Sequence, residues 1–203
     1  MNTRTLTTEG EIAIKEMMKL GMLIDIDHMS QLAANRTLAI AQAVPNGGYP
    51  IASGHNELRG EGGSENARTP DQLRTIGRLK GMVGVGCEGM DAHEFTRRYA
   101  EMASLTGGRA GIGTDLNGLV KAPPPRRGSR VVYDASFPKS RSGNKEWDYN
   151  VDGVAHYGML ADYVRDMRTA PNGNAVVEGA FMDAAEVFAE MWARAEAQKD
   201  DGR

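Results

Sequence analysis

The sequence is nearly free of cysteine: Cys87 is alone among 203 residues. That excludes an internal disulfide framework and leaves the redox compartment undefined. It also has no dominant charge, since 24 Lys and Arg stand against 27 Asp and Glu for a net −3. Neither a nucleic-acid partner nor an anionic membrane surface is implied by that balance. No stretch approaches the roughly 20 apolar residues of a membrane span. The opening Met1 to Thr5 leads into a polar helix and lacks the apolar core of a signal peptide. As written, the chain reads as soluble and cytoplasmic, and an export signal on a longer parent would lie out of view. The twelve methionines, Met17, Met18 and Met22 among them, are scattered, and read as core filling by a flexible side chain.

What is present is an alternation of amphipathic helices and short apolar runs. Thr8 and Glu11 have capping-box spacing ahead of a helix that ends near Gly21. Met22 to Ile26 then reads as a buried strand. Ser30 caps a second helix through Leu38 and Ala43, and Pro45-Asn46-Gly47-Gly48 ends it. Tyr49 to Ser53 is the second expected strand, Pro70 to Gly81 the third helix, and Met82 to Gly86 the third strand. A helix from Ala92 to Leu105 and a strand from Ala110 to Gly113 complete the series. Strands separated by single helices predict an α/β fold with a parallel sheet.

The rhythm stops after Asp115. Residues 1–116 supply four βα units, 117–150 a long proline-rich and basic loop, and 151–203 C-terminal helices, in one partial domain over 1–203. Helical segments are expected near His156 to Met167 and Val177 to Ala197. The loop's position suggests a rim over the strand ends. A closed (βα)8 barrel takes eight strands and about 250 residues, so this chain supplies half of one.

Asp25, Asp27, His28, His55 and Asp115 each fall at the C-terminal end of an expected strand. In parallel α/β folds that edge is where ligands bind and catalytic groups collect. Two imidazoles and a carboxylate on separate strands are the donor types of an open transition-metal site. Spacing alone leaves each histidine open between a structural role and a ligand role. His156, at a helix start, reads as a cap or as an approach to the site from the last loop. His93 sits in a helix start, and Cys87 reads as a buried apolar residue without an activating partner.

The segments Leu6-Thr7-Thr8-Glu9-Gly10 and Gly21-Met22-Leu23-Ile24-Asp25-Ile26-Asp27-His28-Met29-Ser30 resemble the membrane (renal-type) dipeptidase family of the amidohydrolase superfamily. Its pattern there is a helix beginning Leu-Thr and a strand ending Gly-Met-Leu-Ile-Asp-x-Ser-His-x-Ser. Pro50-Ile51-Ala52-Ser53-Gly54-His55 is similar to the family's next strand, and Thr69-Pro70-Asp71-Gln72-Leu73 with Lys80-Gly81-Met82-Val83-Gly84-Val85 to the helix and strand after it. Gly111-Ile112-Gly113-Thr114-Asp115-Leu116-Asn117-Gly118 resembles the last-strand ending Gly-Ile-Gly-Ser-Asp-Phe-Asp-Gly. The resemblance covers residues 6 to about 118. Val151-Asp152-Gly153-Val154-Ala155-His156-Tyr157-Gly158 resembles a segment of divergent members.

The resemblance implies the second half of a TIM-like metal-dependent hydrolase barrel. It implies that His28 and His55 hold one zinc of a binuclear site, and that Asp115 contacts the other metal or the bridging water as general acid/base. The reaction implied is hydrolysis of a peptide or related amide bond by a metal-activated water. The family's His-x-Asp pair and bridging glutamate are expected ahead of this segment, and no His-x-Asp occurs in the 203 residues. Glu88 is a stand-in carboxylate to consider, and Asp27, where the family has serine, a partner for orienting His28. For the arginine that reads the substrate carboxylate, Arg68 lies near the expected place and Arg59 is a second candidate. The expected partners are a small peptide-like substrate and either a second copy or an N-terminal half. The rival expectation is a non-catalytic half-barrel that binds a partner and holds at most one metal.

Overall fold

The computed structural model describes residues 2–60 and 63–199. Four helix–strand units come first: α1 (Thr8–Lys19), β1 (Ile24–Asp25), α2 (Gln31–Gln42), β2 (Ile51–Asn56), α3 (Pro70–Arg78), β3 (Met82–Val85), α4 (Ala92–Thr106) and β4 (Ala110–Ile112). Local chemistry sets their starts. Ser30 Oγ accepts from Ala33 N at 3.1 Å ahead of α2. Thr69 and Gln72 exchange side-chain and backbone bonds around Pro70 at the head of α3. The cap of α1 is Thr7 rather than Thr8, its hydroxyl accepting from Gly10 N at 3.1 Å. Adjacent threonines have equal capping chemistry, so only the backbone geometry separates them.

The four strands are all parallel and lie side by side in chain order, with β1 and β4 at the edges. Ile24, Ile51, Val83, Val85 and Ala110 are buried in one cluster with Leu38, Leu73, Ile76, Phe95 and Tyr99 from the helices. Two strand lengths differ from expectation. β1 is only two residues, although Ile26 N still bonds Ala52 O at 3.0 Å. β2 runs on past Ser53 to Asn56, with a register shift between those two residues. Such a shift kinks the strand and re-aims its side chains, here around His55.

The other face of the sheet carries small residues. Ala52, Gly54 and Gly84, together with Asp25, Met82 and Ile112, line a largely apolar cavity of about 310 Å³ that Phe188 and Met191 close. The backbones approach tightly there: a Cβ on Gly84 would stand 1.9 Å from Gly54 O, and one on Gly113 2.0 Å from the same oxygen. Glycine at both positions is what lets the sheet curl.

Phe188 and Met191 belong to α8 (Ala184–Glu196), which crosses beneath the strand starts. Arg109, just ahead of β4, donates to Gly81 O at 2.7 Å and Lys80 O at 3.0 Å, and pairs with Glu190 of α8 at 3.0 Å. Arg194 donates to Asn46 O at 3.0 Å and Gly48 O at 3.2 Å, ahead of β2. Between β4 and α8 lie a small hairpin of β5 (Arg141–Ser142) and β6 (Lys145–Glu146), then α5 (Tyr149–Asp152), α6 (Leu160–Met167) and α7 (Gly173–Val176). The expected long loop is fastened at several points. Asn150 bonds both N and O of Val131, at 2.8 and 3.0 Å, Tyr133 OH donates to buried Asp162 at 2.7 Å, and Arg126 pairs with buried Asp166 at 3.2 Å. Among the described residues no helix is long and apolar enough to cross a membrane.

Candidate metal centre

The C-terminal ends of β1, β2 and β4 bring His28, His55 and Asp115 to one cavity of about 460 Å³, whose wall also includes Asn66, Glu88 and Arg98. His28 Nε2 and His55 Nε2 face each other at 2.9 Å, with ring centroids 4.9 Å apart. Asp115 Oδ2 stands 3.9 Å from His55 Nε2. His28 and Asp115 both have left-handed backbone, with φ of 62° and 48°. For non-glycine residues that geometry is costly and clusters at functional sites.

Two buried assemblies hold the histidines. The first centres on Asp27, whose carboxylate is turned to His55 and not, as expected, to His28. Its Oδ2 accepts from His55 N at 2.7 Å and lies 3.2 Å from His55 Nδ1, while Oδ1 accepts from Ser53 Oγ and from Asn56 Nδ2 at 2.6 Å. Asp25 Oδ1 accepts from Asp27 N at 2.8 Å, and burial followed by the nearby Asp27 charge pushes the Asp25 carboxyl upward against its backbone hydrogen bonds.

The second assembly runs Arg68 to Asn66 to His28. Arg68 is fully buried and donates through Nε to Asn66 O at 2.9 Å and through Nη2 to Asn66 Oδ1 at 3.3 Å. Desolvation by burial lowers the Arg68 pKa. Asn66 Oδ1 in turn accepts from His28 N at 2.7 Å, which pins the left-handed turn. Asn66→Ala removes that acceptor and is expected to weaken divalent-cation binding by about tenfold, in line with other losses behind a metal ligand. It is also expected to cost about 0.5–1.5 kcal/mol of stability through the lost hydrogen bond, Arg68 keeping its bonds to the Asn66 carbonyl. Calorimetric titration and thermal melts of the same variant read the two effects separately.

The remaining expected residues fall as follows. Arg59 and Arg68 are both absent from the cavity wall. Arg59 donates to Ala67 O at 3.0 Å and also to Gln31 Oε1 and Glu65 O. Arg98 is the arginine on the wall, 3.4 Å from Glu57 and 3.2 Å from Glu94, and its buried Nε has no hydrogen-bond partner among the described residues. Glu88 is exposed on the wall. His156 caps a short turn at Tyr157–Met159, accepting from Gly158 N at 3.1 Å, and its ring meets Trp147 edge-on. His93 Nε2 is 2.8 Å from Thr169 Oγ1, and Cys87 is buried with its thiol pushed up to about 11 by desolvation. Asn66 and Arg98 escaped the sequence reading because each meets the site across a long chain separation, with no local pattern to mark it.

Two imidazole nitrogens converging beside a carboxylate suit zinc or a similar divalent ion. Among the described residues no group of three or more His, Cys, Asp or Glu side chains converges closely enough to enclose an ion. The fit is therefore to one ion on two imidazoles, with Asp115 at its margin.

Residues 1–98 match the family model for membrane dipeptidase, peptidase family M19. The matched stretch is 98 of the 203 residues, just under half of the chain. Asp115 lies beyond the matched stretch. Solved structures extend the likeness through the rest of the chain. A metallopeptidase from Rhodobacter sphaeroides, liganded with a phosphinate mimic of the dipeptide L-Ala-D-Ala, is 16% identical with a TM-score of 0.67, covering 96% of this chain and 48% of its own. Dipeptidase AC, a metallopeptidase of family M19, is 16% identical with a TM-score of 0.66, covering 96% and 50%. An amidohydrolase from Pseudomonas aeruginosa is 15% identical with a TM-score of 0.61, covering 93% and 58%. At these identities the likeness is one of fold, and the chain spans about half the length of the structures it matches. No curated protein matches it in sequence. The fold is thus four consecutive βα units of a TIM-like barrel with helices following.

Proposed function

We propose that this chain carries the metal-binding second half of a dipeptidase-type hydrolase acting on a peptide or related amide bond. The observation that carries the reading is the meeting of His28 Nε2 and His55 Nε2 at 2.9 Å, at the strand ends of a segment matched to the membrane dipeptidase family. His28 and His55 would hold one divalent ion, zinc by its preference for imidazole, which when bound polarises a carbonyl and activates a water. Asp115, exposed on the cavity wall 3.9 Å from His55 Nε2, takes and returns the proton. The carboxylate of a small peptide-like substrate falls to Arg98, which lines the cavity beside its partners Glu57 and Glu94, whereas Arg59 and Arg68 do not line it.

A second metal takes donors that the described residues lack, and the strand edges of β1 and β4 are open to the four further strands of a closed barrel. An N-terminal half or a second copy supplies them. The fit to a single ion also favours the alternative, a non-catalytic half-barrel with one structural metal. Plasma emission on tag-free, chelator-free protein is the test. One equivalent of zinc per chain supports the half-site, two support a completed centre, and none refutes the metal reading. Hydrolysis of an L-Ala-D-Ala-type dipeptide by the zinc-loaded protein then separates enzyme from non-catalytic half-barrel.

A further inference from the structure

We propose that Asp27 is a positioning residue that keeps the proton of the His55 ring on Nδ1, so that the Nε2 lone pair faces His28 and the cavity. The inference rests on reading the site as a metal centre, and it deepens that reading by adding a residue that touches no substrate. The Asp27 side chain is 3% exposed and its two oxygens are fixed by donors from β2. Oδ1 accepts from Ser53 Oγ and from Asn56 Nδ2 at 2.6 Å, and Oδ2 from His55 N at 2.7 Å. Held in this way the carboxylate cannot swing, and Oδ2 is left 3.2 Å from His55 Nδ1.

Which nitrogen of a neutral imidazole carries the proton is set by what the other nitrogen meets. A carboxylate oxygen against Nδ1 favours the proton there and leaves Nε2 as an acceptor. The opposite edge of the ring is compatible with this: His55 Nε2 is 2.9 Å from His28 Nε2, a distance at which one of the two must be proton-free, and either ring could be the acceptor. A carboxylate that merely fastened β1 to β2 would be satisfied by Ser53, Asn56 and the His55 backbone. The fourth contact, to the ring itself, is the one that reaches a side chain of the cavity, at the register shift of β2 where ring direction is least fixed by the ladder.

The test is the tautomer of His55 in the ion-free chain, read from long-range ¹H–¹⁵N correlations at mildly alkaline pH, with His55→Gln assigning the signal among four histidines. The native ring is expected as Nδ1–H. In Asp27→Asn the charged acceptor beside Nδ1 is lost, so the proton is expected to shift toward Nε2, and zinc affinity by calorimetry is expected to fall about 10–100-fold. A native His55 protonated on Nε2 overturns the proposal, whether or not Asp27→Asn folds. So does an Asp27→Asn chain whose tautomer and affinity both match the native chain. If the native chain takes up no zinc yet carries His55 as Nδ1–H, the metal reading falls while the positioning role stands.

Discussion

His55→Ala is expected to remove measurable zinc binding, a loss of about 100-fold or more, while His93→Ala leaves binding unchanged. The first variant deletes one of two converging imidazoles, and a single exposed imidazole with a marginal carboxylate is a poor chelate. Since losing a partner behind a ligand already costs about 10–100-fold, losing the ligand itself costs more. His93 is the matched control: it is a histidine of the same chain, bonded to Thr169 away from the cavity. The His55 ring is partly exposed, so its removal leaves the core intact and circular dichroism should be native-like. Equal zinc affinity in the two variants, measured by calorimetry, would refute the placement of the site at these strand ends.

Gly84→Ala is expected to be among the most destabilising single-methyl additions in the chain, at about 3 kcal/mol. β3 is hydrogen-bonded on both sides, so it cannot retreat from a Cβ placed 1.9 Å from Gly54 O and 3.2 Å from Gly113 Cα. Overpacking in a fixed core typically costs about 1–3 kcal/mol, and the obstacle here is backbone on two neighbouring strands instead of a flexible side chain. Gly60→Ala, with nothing among the described residues within 4 Å of the added methyl, should stay within about 0.5 kcal/mol of the native chain. Urea unfolding curves decide it. Coincident midpoints for the native chain and Gly84→Ala would mean that the strands do not curl as closely as described. Because Gly54 adjoins His55, the same variant should also disturb the histidine pair.

The parts of this fold that a reader of the sequence recovers are those decided within a few residues. Ser30, the Thr69-Pro70-Gln72 start and Gly107, left-handed at φ 67°, mark their helix ends through bonds to near neighbours. The short apolar runs mark the strands, since a buried parallel strand has no polar face. Residues at strand ends collect at one edge of any parallel sheet, so His28, His55 and Asp115 were legible as a group before their distances were. Polarity hid the end of β2: the apolar run stops near Ser53, whereas the ladder continues through Gly54, His55 and Asn56 because β3 supplies the partners.

The sequence by itself determined the alternation of four helices and four strands, the edge at which the chemistry-bearing side chains gather, and the family pattern that they follow. Only the tertiary structure decided that Asp27 serves His55, that Arg68 is buried behind Asn66 while Arg98 faces the cavity, and that α8 closes the strand starts. The physical reason is range. Caps and periodicity act over three or four residues along the chain, whereas the partners of Asp27, Arg98 and Arg109 in these assemblies include groups 28, 41 and 81 residues away, and only packing brings them together.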